Sequence, residues 1–164
     1  MDISRHRYKE IQNAANAYKK ILGTSDPFKI CEILGFKVCF IPLSSHLHGF
    51  TDVKQKIADS LTTHKSQLTT TNASIYISSA LDSYSKKIVC AHELGHISLQ
   101  SREELNLFES GSDTKSIKEY EANLFAIELL PQIYHNTSTS YQSLSKDELQ
   151  AFMNKKISSI TFSL

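Results

Sequence analysis

The stretch CAHELGH, residues 90–96, restricts the fold of this chain more than any other part of it. Its two histidines, His92 and His96, are four residues apart with Glu93 between them. On an α-helix residues advance by about 100°, so His92 and His96 fall within about 40° of each other and one turn apart. Both imidazoles can then reach one metal ion. Zinc favours neutral imidazole nitrogen, and a hydrolytic zinc site needs three protein donors with a fourth position left open. Glu93 is rotated off the histidine face, close enough to act on a water at that open position as a general base. Gly95 leaves one side of the helix without a Cβ, where a substrate strand or another element can approach.

A shuffled chain with seven histidines and this acidic content would contain H-E-x-x-H with a frequency of roughly 2%, so the motif needs a third donor to carry weight. His6, His46, His48, His64 and His135 lie in polar or terminal contexts without a partner at helical spacing. Better candidates lie in IKEYEANLFAIELLP, residues 117–131, an apolar helical segment whose stop is Pro131. A carboxylate there is costly to bury unless it is paired or bound to metal. Glu119 and Asn123 are four residues apart and share a face. One can ligate the metal while the other fixes an imidazole by a hydrogen bond. Glu121 sits about 160° from Asn123 and is expected to face solvent or to pair with a lysine. Glu119 is the expected third donor, with Glu121 the alternative.

Around this pair of helices the pattern is α+β. Residues 3–22 place Ile11, Ala15, Tyr18 and Leu22 on one helical face, with Gly23 as a stop. SDPFKICEILG offers Ser25 or Asp26 as N-cap, Pro27 in the first turn and Gly35 at the end of a second short helix. FKVCFIP alternates as a strand closed by Pro42, and HGFTDV and ASIYISS read as two more. Helical patterning resumes near Ser83 and runs through the histidines. In LSKDELQAFMNKK, Ser145 and Glu148 form a capping box that opens a last helix, 144–156. We therefore expect one domain over residues 1–164, its core at about 25–131, with helices packed on a small mixed or antiparallel sheet of about three strands.

Composition excludes more than it selects. A formal charge of +1 provides no field for nucleic acid or an anionic membrane, and the chain has no helix-turn-helix of its own. Its apolar runs are too short to span a bilayer, and the charged N-terminus has no signal-like core, so the expected location is cytoplasmic. Cys31, Cys39 and Cys90 are widely spaced without a C-x-x-C pair and read as reduced core thiols.

HELGH followed by EYEANLFAIELLP resembles the ImmA/IrrE family of bacterial and phage metalloproteases, and the order of elements matches it over at least residues 25–131. The resemblance implies a zincin-like fold and a thermolysin-like E-x-x-x-D/N arrangement falling on Glu119 and Asn123, with Zn2+ held by His92, His96 and Glu119. It also implies an endopeptidase whose substrate is a helix-turn-helix repressor, cleaved to derepress a prophage, a mobile element or a stress response. Two other readings are a zinc-containing antirepressor that acts by binding alone and a toxin-like protease with a host protein target. A protease must also hold its substrate extended, and ASIYISS is the expected edge strand for that purpose. Tyr120, Tyr134, Tyr141 and His135 are the candidates for stabilising an oxyanion.

Overall fold

The helix boundaries follow from capping chemistry. Helix α1, Arg5–Leu22, starts where the Ser4 hydroxyl accepts from the Arg7 N–H and stops at Gly23, whose φ of 68° is the left-handed conformation that glycine adopts without a steric penalty. Helix α2, Pro27–Leu34, starts at Asp26, which accepts from the Phe28 N–H, and ends at Gly35 with φ 72°. The structure, a computed structural model, describes residues 3–57, 69–99, 112–130, 141 and 144–158. Pro131, expected to close the second site-bearing helix, lies outside the described residues, as do His64, Tyr134 and His135.

Three strands follow α2 in a mixed sheet: β1, Lys37–Ile41, β2, Gly49–Ile57, and β3, Thr69–Ser78. Their spatial order is β1-β3-β2, with β3 parallel to β1 and antiparallel to β2. Alternation along β3 sends Ile75 and Ile77 into the core, where neither is exposed at all. Tyr76 takes the opposite face and stacks on Phe50, the residue paired with it across the ladder, at a ring-centroid distance of 4.8 Å. ASIYISS is thus the central strand, with ladders on both edges, and cannot accept a further strand. Among the described residues, β2 is an edge strand of the sheet.

Helix α3, Ser83–Leu99, begins at Asp82, whose carboxylate accepts from the N–H groups of Tyr84 and Ser85. The Ser85 hydroxyl, fully buried, shares its one proton between the Asp82 carboxylate and the carbonyl of Ile157 near the far end of α5, Lys146–Ser158. Helix α4, Ser112–Leu129, lies on the other side of α3 from the sheet, and α1 covers α4. The layers therefore run sheet, α3, α4, α1, with α5 against both α3 and α4. Phe125 of α4 is fully buried and meets the edge of Tyr18 at 6.1 Å. Removing such a ring from water stabilises the fold by about 2–3 kcal/mol. The capping box opens α5, since Ser145 N–H donates to Glu148 at 2.7 Å and Glu148 N–H to the Ser145 hydroxyl at 3.3 Å. Cys31 and Cys90 are buried thiols with their sulfurs 3.9 Å apart, whereas Cys39, expected in the core, is only half-buried.

Gly95 is what lets α3 and α4 come together. A Cβ built there would lie 3.1 Å from Phe125 Cβ, 3.1 Å from Phe125 Cδ1 and 3.2 Å from Ala122 Cα. The element approaching the bare side of α3 is therefore α4 and not a substrate. Gly95→Ala should lower the thermal midpoint, because overpacking at a helix contact costs about 1–3 kcal/mol against a gain of about 1 kcal/mol in helix propensity. A calorimetric midpoint above that of the parent would show that the two helices separate without penalty.

Candidate metal centre

The close contact at Gly95 brings α4 alongside α3 with the 119/123 face turned towards the histidines. His92 Nε2 and His96 Nε2 lie 3.1 Å apart, and the Glu119 carboxylate oxygens lie 3.2 Å from the first and 3.4 Å from the second. Donor atoms held about 2.0–2.1 Å from a tetrahedral ion are about 3.3–3.4 Å from one another. The Nε2–Nε2 separation, and the separation of each Nε2 from its own nearer Glu119 oxygen, are close to that edge length. Two imidazoles and one carboxylate are also the donor set that leaves a fourth position open, so the residues present could hold a metal ion. The Glu119 side chain is 40% exposed, against 16% and 17% for the histidines, so the group is reachable from solvent on its carboxylate side.

The orientation of His92 is fixed from behind. Its Nδ1 lies 2.8 Å from Asn123 Oδ1, an acceptor, so Nδ1 carries the proton and Nε2 turns its lone pair towards Glu119 and His96. Asn123, 2% exposed, then donates through Nδ2 to Gln150 Oε1 at 2.9 Å. The electrostatics are those of a cation site. The rings of His92 and His96 facing it hold the Glu119 carboxyl well below the usual carboxylate range, against the opposing effect of its own burial. Burial alone would lower His92, but the Glu119 and Glu93 carboxylates beside it raise it on balance.

Glu93 occupies a different environment. It is 6% exposed, and burial pushes its carboxyl above the ordinary value even though both histidines pull it down. Its side chain faces a cleft of about 450 Å³ between the start of β2 and α5, into which His92, His96 and Glu119 also open. Gly49 forms part of the opposite wall. A Cβ at that position would lie 2.6 Å from Val89 Cγ1 and 3.3 Å from Glu93 Oε1, so only glycine lets the edge strand pass this close to α3.

Glu121 is not part of this group. Both its oxygens accept from Arg7 at 2.7 Å, a bidentate pair that joins α4 to α1. It is buried with an arginine, and the expectation of a solvent-facing residue or a lysine partner is corrected. Tyr120 donates its hydroxyl to the carbonyl of Leu144, and Tyr141 packs on Phe152, so neither lines the cleft. Sequence reading missed Gly49, His48, Gln150 and Met153 as cleft residues. Gln150, Met153 and Ile157 recur at helical spacing on one face of α5, a signal that was present but reads as ordinary core patterning.

The family model of the IrrE N-terminal-like domain, Peptidase M78, matches residues 31–132, a stretch that contains the α3 histidines, Glu93, Glu119 and Asn123. The chain belongs to this peptidase family. The Peptidase M78 family is metal-dependent, in keeping with the donor group described above. No curated protein and no solved structure matches the chain. The α5 helix, which closes one side of the cleft, lies beyond the matched residues. Among the described residues no helix is long and apolar enough to cross a membrane.

Adding zinc to chelator-treated protein should raise the melting midpoint, because an ion bound only by the folded state at a hundredfold above its Kd stabilises by about 2.7 kcal/mol, on the order of 5–10 °C for a chain of this size. Glu119→Ala should abolish that rise. Glu121→Ala should keep it while melting lower both with and without zinc, since the bidentate pair with Arg7 that joins α4 to α1 is lost. The reverse pattern in differential scanning calorimetry would assign the donor to Glu121.

Proposed function

We propose that this member of the family is a zinc endopeptidase that cuts a helix-turn-helix repressor in the cytoplasm and so derepresses a prophage, a mobile element or a stress response. The observation that carries the catalytic part is the convergence of His92 Nε2, His96 Nε2 and the Glu119 carboxylate, each contact 3.1–3.4 Å, with a buried carboxylate, Glu93, on the same cleft. When bound, zinc supplies Lewis acidity, which polarises a carbonyl and brings the pKa of water towards ~7.

The remaining work is done by residues of the chain. Asn123 Oδ1 holds the Nδ1 proton of His92, which keeps Nε2 available as a donor. Glu93 accepts a proton from the attacking water, and the burial that makes its carboxylate more basic suits it to that task. Gly49–Thr51 of β2, an edge strand among the described residues, line the cleft and can hold an extended peptide by adding it as a strand. That edge takes the place first assigned to ASIYISS. The repressor as substrate rests on family membership.

Co-expression with the helix-turn-helix protein encoded beside this gene, followed by intact-mass analysis, tests the proposal. Wild type should yield two fragments whose masses add to that of the repressor plus one water. Glu93→Gln should keep its zinc and cut at least about a hundredfold more slowly. Equal cutting by both proteins would remove Glu93 from the chemistry. An intact repressor held in a zinc-containing complex by both would replace cleavage with binding.

A further inference from the structure

The metal-facing geometry of His92 depends on a hydrogen-bond relay that leaves α4 and ends on α5. His92 Nδ1–H donates to Asn123 Oδ1 at 2.8 Å, Asn123 Nδ2 donates to Gln150 Oε1 at 2.9 Å, and Gln150 Nε2 donates to Asn154 Oδ1 at 3.0 Å. Every donor points the same way, outward from His92. An asparagine amide can present either its oxygen or its nitrogen to a neighbour, and the two ends have opposite consequences here. With Oδ1 towards the ring, Nδ1 is protonated and Nε2 is a bare donor. With Nδ2 towards the ring, Nδ1 must accept, the proton moves to Nε2, and His92 can no longer ligate without losing it.

Asn123 is 2% exposed, so solvent does not set this choice, and a buried amide must satisfy both ends. The group that distinguishes the ends is Gln150. It accepts from Nδ2, and its own amide nitrogen is engaged by Asn154 one turn further along α5. Gln150 also lines the cleft, beside Met153 and Asn154.

We infer that Gln150 is a positioning residue for the metal centre: by accepting from Asn123 it selects the amide orientation that fixes the His92 tautomer, and so couples the seating of α5 to metal affinity. The inference rests on the proposed ligation by His92, His96 and Glu119. Its tuning element lies outside residues 31–132, the stretch that matches the family. A chain in which α5 is displaced should bind its metal more weakly even with all three donors intact.

Two variants separate the relay from simple packing. Gln150→Leu keeps the volume but removes the acceptor, whereas Gln150→Glu keeps an acceptor oxygen. Both are good helix formers at a half-buried position, so α5 is retained. Zinc affinity is read by competition with a chromophoric chelator, and the His92 tautomer by nitrogen-15 NMR of the metal-free protein. Gln150→Leu should lose roughly tenfold in zinc affinity, the low end of the range for residues that orient a ligand, and should show His92 as a mixture of tautomers. Gln150→Glu should bind zinc at least as well as wild type and keep the proton on Nδ1.

Wild-type affinity together with an unchanged tautomer in Gln150→Leu would overturn the inference while leaving the metal centre standing. A wild-type protein that binds no zinc would overturn the proposed centre itself. The tautomer comparison would then still decide whether Gln150 orients Asn123.

Discussion

The contact between α3 and α4 at Gly95 is the constraint on which the rest of the site depends. His92 and His96 are placed by helical periodicity alone, but two imidazoles do not make a hydrolytic centre. The third donor comes from a helix that must approach within the radius of a missing Cβ, 3.1–3.2 Å from Phe125 and Ala122. At that separation Glu119 reaches both Nε2 atoms and Asn123 reaches Nδ1 of His92. A wider spacing would leave Glu119 as an ordinary half-exposed carboxylate and His92 without a fixed tautomer.

The same packing explains why α4 carries acidic residues in so apolar a setting. Each carboxylate among its described side chains has a partner that its position demands. Glu121 meets Arg7, and Glu128 accepts from Tyr8 and Gln12 of α1. Glu119 faces the histidines, the one partner set that could also hold a cation. Two of the three therefore tie α1 to α4 and one serves the centre. The sheet contributes differently: it places the glycine end of β2 over Glu93, on the wall of the cleft that α5 and the donors also line.

Local chemistry was legible from the residues, and long-range pairing was not. The caps at Asp26 and Gly35 and the box formed by Ser145 and Glu148 stand where their spacing put them, because each is settled within four residues. Glu119 and Asn123 could be paired with the histidines because all four lie at helical spacing on two helices. The strand order could not be read, since β1 and β3 pair in parallel across the intervening β2, and alternation says nothing about neighbours. The Arg7 partner of Glu121 lies 114 residues away. Gln150 was missed because nothing in its own segment marks a polar residue on a helix face as part of a relay.

In the proposed centre His92, His96 and Glu119 hold one zinc ion. That ligation is tested most directly by zinc K-edge X-ray absorption on the purified, zinc-loaded protein. Such a centre has two imidazole nitrogens at about 2.0–2.1 Å and oxygen completing the coordination at about 2.0–2.2 Å, and its histidine multiple-scattering signal weakens in His92→Ala. A sulfur neighbour at about 2.3 Å, or a shell of six oxygens without imidazole, would place the metal elsewhere and contradict it.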